Sequence, residues 1–475
     1  MNTPSKAVVL SICISVWSIG IAEAAPGVFR AGSAKVDITP KKWPVSLVGS
    51  FSDRLADKAF DRLHARALVL EEGRTRVAMV VVDNCLIPRA VLDEAKKRAA
   101  KISGIRIDRM LVSATHSHSA PASKTWAAIG IKADPDYLEQ LQDGIAQAIH
   151  LAEKNLVPAE IGWGVADAPK HVFNRRWYVK PEAIGMDPFG KTNDIVKMNP
   201  PRKPDWLIKP AAPTDPEVSF ITVRSKSGKP IALFANYSLH YVGGVPAGGV
   251  SADYYGEFAR MMEKDLGRDE PGFVAIMSNG TSGDINNINF TNPWPRREPF
   301  EQIKIVARYV ADAVLAEHSK VKFQEWVPVK MVQKELAVKT RRPTAEQVAQ
   351  AKVFLAEPDD KKLPPRARAY ANWTLMLAEQ KVDKIIIQAL RIGDLGIATL
   401  PCETFVEIGL DIKKRSPMKR TFTVELANGH SSYLPTPEQH KLGGYETWLG
   451  SCILEENASV KITNQLLSML KQIAK

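Results

Sequence analysis

The chain has 475 residues, 45% of them hydrophobic, with a formal net charge of +12 and a pI near 9.3. That apolar share excludes an intrinsically disordered chain and suits one large domain or two of ordinary size. The positive charge gathers only in short clusters such as Lys413-Lys414-Arg415, with no basic helix or stripe of interleaved aromatics, so a solvated basic surface is expected and a nucleic-acid partner is not.

At the N-terminus, Lys6 precedes an apolar stretch from Ala7 to Ala22, and Ala22-Glu23-Ala24 stands ahead of Ala25-Pro26. The pattern predicts a signal peptide over residues 1–24, cleaved near Ala24, and a secreted or periplasmic product folded from 25–475. Export implies an oxidising compartment, yet only Cys85, Cys402 and Cys452 follow, and an odd number cannot all pair. Disulfides are therefore not expected to frame the fold, and Cys85 reads as a small buried hydrophobe.

Apolar strand candidates alternate with amphipathic helical segments, which predicts an α/β to α+β fold, a mixed central β-sheet flanked by helices. Val77–Val82 reads as a strand buried on both faces. Asp134 as N-cap and Pro135 in the first turn open a helix with Leu138, Leu141, Ile145 and Ile149 on one stripe. From Pro158 to Pro216 the periodicity weakens and Pro, Lys and Trp accumulate, so long loops are expected there; those around 160–215 and 286–300, rich in Trp, Phe and Pro, either shape the pocket or pack their aromatics against the domain. Residues 340–382 read as a helical insertion opened by the capping box Thr344-Ala345-Glu346-Gln347. The sheet signal resumes at Ile385–Ile387, Ile397–Leu400 and Thr421–Leu426, and a last helix starts near Asn457.

Several strand candidates end in chemically capable residues. Met110–Ala114 runs into Thr115-His116-Ser117-His118, Ile231–Leu239 into His240, Phe273–Met277 into Ser278-Asn279, and Ile397–Leu400 through Pro401-Cys402 into Glu403. In α/β sheets, ligands collect beyond the carboxyl ends of strands. His116 and His118, two apart, would face one side if both lay on a strand. A histidine near a strand end is also a common structural residue, but His116, His240 and Glu403 can supply two neutral imidazoles and a carboxylate, a three-ligand zinc site with an open position for water. The turn Ser282-Gly283-Asp284-Ile285-Asn286-Asn287 either presents backbone N–H groups or Asp284 to the site, or is an ordinary turn with Asx hydrogen bonds.

These residues fall in a recognisable order. Thr115-His116-Ser117-His118-Ser119-Ala120-Pro121 resembles the THTHSGP segment of neutral/alkaline ceramidases, and Asn174-Arg175 resembles their NR element. Asp215-Pro216-Glu217 to His240 resembles their strand pair leading to a second zinc histidine. Gly283-Asp284-Ile285 is similar to the start of their GDVSPN turn, Pro401-Cys402-Glu403 to their PGE, and Tyr433-Leu434-Pro435-Thr436 with Tyr445-Glu446 to their Y-x-x-T and YE elements. The likeness runs from about residue 30 to 460.

The resemblance implies one Zn²⁺ held by His116, His240, Glu403 and Tyr433, with His118 in acid–base or supporting work and Arg175 and Tyr445 facing the scissile group. Two departures follow from it. The family's serine in GDVSPN falls on Asn286, which cannot act as a serine nucleophile, and the immunoglobulin-like C-terminal domain is expected to be missing, since the sequence stops soon after Tyr445-Glu446. The expected activity is ceramidase-like hydrolysis of a non-peptide amide by zinc-activated water, with the substrate left open between ceramide and another small or amphiphilic compound, peripheral membrane-surface contact allowed and no obligate protein partner. The rivals are an ester or carbohydrate-derivative hydrolase, in which Asn286 binds substrate hydroxyls, and a metal-stabilised binding protein without catalysis.

Overall fold

The computed structural model describes residues 27–475 apart from 269 and 294, so the expected signal peptide lies outside the described residues. Its centre is an eight-stranded sheet of β1 (Arg30–Asp37), β2 (His64–Glu72), β3 (Thr75–Val82), β4 (Met110–Ala114), β5 (Val157–Asp167), β6 (Glu217–Ser225), β7 (Pro230–Tyr237) and β8 (Val274–Asn279). The order across the sheet is β8-β7-β6-β5-β1-β2-β3-β4. All pairs are antiparallel except the two at the edges, β3 with β4 and β7 with β8.

Four helices cover one face: α1 (Arg89–Ser103), α2 (Pro135–Lys154), α3 (Asp253–Leu266) and α4 (Glu301–His318). Parallel neighbours need a crossover, and α1 supplies it between β3 and β4, α3 between β7 and β8. The other face packs on a four-stranded sheet of β9 (Val329–Lys339), β10 (Val382–Ile392), β11 (Leu395–Thr399) and β12 (Arg420–Val424), with Phe234 stacked on Phe422 between the layers. Between β9 and β10 stand α5 (Ala345–Ala356) and α6 (Ala367–Glu379), and α7 (Val406–Arg415) is the crossover between the parallel strands β11 and β12. With α8 (Ala458–Ala474), α7 closes the outer side of the second sheet, so the layers run helix, sheet, sheet, helix. Among the described residues no helix is long and apolar enough to cross a membrane.

The expected elements are present at most positions. Asp134 caps α2 by accepting from the N–H groups of Asp136 and Tyr137, and the buried stripe is Tyr137, Leu141, Ile145 and Ile149, with Leu138 at its margin. Thr344 and Gln347 complete the capping box of α5, so the 340–382 insertion is a pair of helices. Cys85, Cys402 and Cys452 are free and buried.

The expectation of loops from Pro158 to Pro216 is corrected at its start. Residues 157–167 form β5, which pairs with β6 from Glu217↔Asp167 to Ser225↔Ala159. Gly162 and Gly164 hid this strand, because glycine weakens the strand signal, yet each is fixed by close packing. A Cβ on Gly162 would meet Val321 Cγ1 at 2.3 Å and the Lys322 carbonyl oxygen at 3.0 Å, and one on Gly164 would meet the Phe220 ring at 2.5 Å. Gly162→Val therefore tests packing against propensity. Although valine favours strands, the variant should lose about 1–3 kcal/mol of stability by overpacking, read as a lower denaturation midpoint at unchanged slope.

Candidate metal centre

The three parallel strand pairs of the two large sheets aim their carboxyl ends at one place. His116 follows β4, His240 follows β7, and Glu403 follows β11. The segment after β12 ties these ends together: Glu425 N–H donates to Asn279 O (3.1 Å) at the end of β8, and Asn428 N–H donates to Val112 O (2.8 Å) on β4.

His116 lies just outside its strand with φ of 79°, so the reading of His116 and His118 as same-face strand residues is corrected. The two rings converge through a backbone turn instead, in a left-handed conformation that costs a non-glycine residue energy and recurs at functional sites. Nε2 of His116 sits 2.8 Å from Nε2 of His240 and 3.2 Å from Nε2 of His118. Glu403 Oε2 is 3.3 Å from His116 Nε2 and 3.7 Å from His240 Nε2.

The tautomers follow from the backbone. His116 Nδ1 donates to Cys85 O (2.8 Å), His240 Nδ1 to Ser282 O (2.9 Å) and His118 Nδ1 to Gly49 O (3.0 Å). A carbonyl oxygen only accepts, so each Nδ1 carries a proton and each neutral ring turns an Nε2 lone pair inward. Glu403 Oε2 is buried without a hydrogen-bond partner. Lone pairs of two imidazoles and an orphaned carboxylate oxygen, crowded in a buried site, are a donor set that fits a cation such as zinc.

The electrostatics run the same way. Burial opposes a charge on Glu403, but His116, His430 and His240 outweigh it and hold its pKa well below the usual carboxylate range. Burial, helped by Arg175 and His116, drives His240 well below its ordinary value, and burial with His116 does the same for His118. Burial works against a charged His116 as well, yet Cys85 and the Glu403 carboxylate raise it well above its ordinary value, so any metal held there would compete with a proton for this ring.

Tyr433 stands beside Glu403 in a two-residue parallel ladder. Its hydroxyl accepts from Arg175 Nη2 (3.1 Å), and burial with the nearby Glu403 and Tyr445 keeps the phenol neutral. Arg175 also places Nη1 3.1 Å from His240 Nε2 and is held from behind by Glu446, which takes Arg175 Nε at 3.0 Å and Arg176 Nη1 at 2.8 Å. Tyr445 packs edge-on against Tyr433 at 5.5 Å. The His118 ring lies between Gly49 and Tyr241, stacked on the latter at 3.7 Å.

Asn286 stays one step away. Its Nδ2 donates to Asn199 Oδ1 (2.6 Å) and its Oδ1 accepts from Ile288 N–H (2.8 Å), so its amide is committed within the ribbon that pairs Ile285–Asn286 with Phe173–Asn174. Asp284 faces away from the metal cluster, accepting from Val406 N–H (2.8 Å) and Asn174 Nδ2 (2.7 Å), which fastens the Arg175 segment to the start of α7. The turn thus works through the Ser282 carbonyl that orients His240.

The sequence reading missed Glu425. This buried carboxyl accepts from Asn279 Nδ2, Ser282 Oγ, Ser282 N–H and Thr404 N–H at 2.7–3.2 Å, and burial pushes its pKa up to about 8 despite those donors. It holds both the residue behind His240 and the residue after Glu403. A charge inside the apolar run 421–426 was the available signal. The pocket expectation holds in part: the apolar cleft at the cluster is lined by residues 48–51, Trp126, Ile129, Ile131 and Trp373, while segment 160–215 brings Arg175 to within 3.1 Å of His240 Nε2. That segment also forms the three-stranded sheet of Arg176–Val179, Val196–Met198 and Leu207–Pro210, with Trp177 packed on Phe290.

The comparisons agree with this architecture. Residues 29–298 match the family model of the neutral/alkaline non-lysosomal ceramidase, N-terminal, a match that includes His116, His118, Arg175, His240 and Asn286. The chain belongs to this family. It is 24% identical over 273 residues to neutral ceramidase A of Dictyostelium discoideum, 54% of this chain and 36% of that protein, so the match spans about a third of the relative's length. The fold resembles the crystal structure of neutral ceramidase from Pseudomonas aeruginosa, with a TM-score of 0.71 and 19% identity over 94% of this chain and 74% of that one. A ceramidase complexed with C2 gives a TM-score of 0.71 and 18% identity over 94% and 75% of the two chains.

Glu425→Gln puts an amide N–H against donors that need an acceptor. Metal affinity, measured by competition with a chelator, should fall by about tenfold although Glu425 touches neither imidazole nor Glu403. Unchanged affinity would assign Glu425 to the fold alone.

Proposed function

We propose that the protein is a zinc-dependent hydrolase cleaving a non-peptide amide bond. The observation that carries this reading is the convergence of His116 Nε2, His240 Nε2 and the unpartnered Glu403 Oε2, with both Nδ1–H groups committed to carbonyls. Family membership supports it, since the relatives that match are named ceramidases. Zinc, when bound, lowers the pKa of its water and polarises a carbonyl oxygen.

The surrounding residues divide the remaining work. Tyr433 completes the polar set beside Glu403. Arg175, fixed by Glu446, and the neutral Tyr433 hydroxyl supply donors for the oxygen that gains charge when the carbonyl carbon is attacked. Tyr445, packed on Tyr433, stands on the same wall. His118 is a neutral imidazole with its free lone pair toward the cluster, placed to take a proton from water and return it to the leaving nitrogen. Asn286, set back in its ribbon, orders the Arg175 side of the site, and no serine nucleophile is needed.

Metal analysis of the purified mature protein should find about one zinc per chain, lost in His116→Ala and Glu403→Ala. A screen over N-acyl lipids, N-acyl amino acids and acetylated sugars should find turnover on amides. A protein that stays metal-free when zinc is supplied would sink the mechanism, and turnover confined to esters would replace the amidase by an esterase.

Gly49 offers a sharper probe of His118. It has φ of 100°, and a Cβ there would lie 2.4 Å from the His118 imidazole. Gly49→Ala should keep zinc while kcat falls by about 100-fold or more, because the ring is displaced from its working geometry. Full activity in that variant would remove His118 from proton transfer.

A further inference from the structure

The cleft at the metal centre has a volume of about 140 Å³, and His116, Glu403 and Tyr433 form its reactive side. The rest of its wall is mainly apolar: Phe51, Leu86, Trp126, Ile129, Ile131 and, from α6 of the helical insertion, Trp373. An apolar space of about 150 Å³ holds one benzene ring. The cleft is therefore sized for a group of about six carbons.

The aromatic part of this wall is braced. Phe51 packs at 6.1 Å on both Tyr370 and Trp373 and at 5.8 Å on Tyr445, with the Arg366 guanidinium 4.0 Å over its ring. Tyr370 packs on Trp373 at 4.9 Å, and its hydroxyl is bonded to Ser451 Oγ at 2.7 Å. Gly450 leaves no slack behind Trp373, since a Cβ there would meet the indole side chain at 3.1 Å. A wall packed on its far side does not give way cheaply to a longer guest.

Resting on the amide-hydrolase reading, we infer that this cleft receives the acyl arm of the substrate and that the arm is short, a straight chain of about six carbons or a phenyl-sized group. The acyl arm is favoured over the amine arm by the products. Hydrolysis releases an amine that is protonated in water, and with its tail in the cleft its ammonium would lie at the reactive end beside the like charge of the Arg175 guanidinium, which stands 3.1 Å from both His240 Nε2 and the Tyr433 hydroxyl. The carboxylate product keeps its charge at the metal side and its apolar tail in the cleft. Trp373 is thus a specificity residue, and the α5–α6 insertion sets chain length.

Titration calorimetry of the zinc-loaded protein with straight-chain alkyl hydroxamates, from acetyl to palmitoyl, tests this without turnover. Affinity should rise about fourfold per added methylene as far as the hexanoyl compound and then level off. In Trp373→Ala, and independently in Phe51→Ala, the hexanoyl compound should bind more weakly and the levelling point should move to longer chains, with zinc content unchanged. Affinity that climbs through palmitoyl in the wild type, that stays flat from the start, or that levels at a point neither variant moves overturns the inference. A plateau at hexanoyl in a protein that hydrolyses no amide would uphold the size limit while sinking the hydrolase reading.

Discussion

Two imidazoles can turn lone pairs toward one point only if their other nitrogens are kept protonated, and here the backbone does this. The Cys85 and Ser282 carbonyls take the Nδ1–H groups of His116 and His240, fixing tautomer and ring orientation together. A carbonyl in a well-ordered turn does not titrate and does not change rotamer, so the donor set is fixed by the fold rather than by side-chain choice. The arrangement also explains why the turns carry strain. His116, Leu426, Asn428 and Ser432 all have positive φ, and the last three lie in the segment that joins β12 to Tyr433. Such conformations persist where the surrounding structure over-determines them.

The folding logic follows from the same demand. The interior of the large sheet is antiparallel and carries no part of the site, whereas each parallel pair delivers one element of it at its carboxyl end: His116 from β3–α1–β4, His240 with Ser282 from β7–α3–β8, and Glu403 with Glu425 from β11–α7–β12. A crossover returns the chain in the same direction, so both strands of such a unit end on the same side. Glu425 and Asn428 then pair with the ends of β8 and β4, which lie at opposite edges of one sheet and come together at the site. Local unfolding of any one unit would scatter the donor set.

Much of this was legible in the sequence because the strand ends and the chemistry coincide. The apolar runs before His116, His240 and Glu403 place all three beyond strands, and the ordered motifs add Arg175, Tyr433 and Tyr445. What stayed hidden has physical causes. Strand β5 was masked by Gly162 and Gly164, whose packing reasons lie in Val321 and Phe220, distant in sequence. The turn that brings His116 and His118 together carries no spacing signal, since a residue pair two apart reads as a strand face. Glu425 is a single carboxyl in an apolar run, and its partners Asn279, Ser282 and Thr404 come from elsewhere in the chain. Segment 160–215 does bring Arg175 to the site, but the apolar wall comes from elsewhere, because aromatic content alone does not say which side of a segment faces the site.

The site pairs a dense set of charges with an apolar slot, and each needs the other. Arg175 brings a guanidinium within 3.1 Å of His240, a position that disfavours a cation at the centre unless its charge is balanced from behind. Glu446 supplies that balance with one oxygen and neutralises Arg176 with the other, and the buried trio leaves a single net positive charge facing the Glu403 carboxylate. Breaking such a trio would strand two buried guanidiniums, so Glu446 ties the stability of this region to its electrostatic setting. On the opposite side, Phe51, Trp126 and Trp373 offer no charge and few hydrogen bonds, which keeps the local dielectric low and strengthens every polar contact at the reactive end. A substrate whose apolar arm fills the slot displaces water from the same place, so recognition of that arm and activation of the polar centre are one physical event.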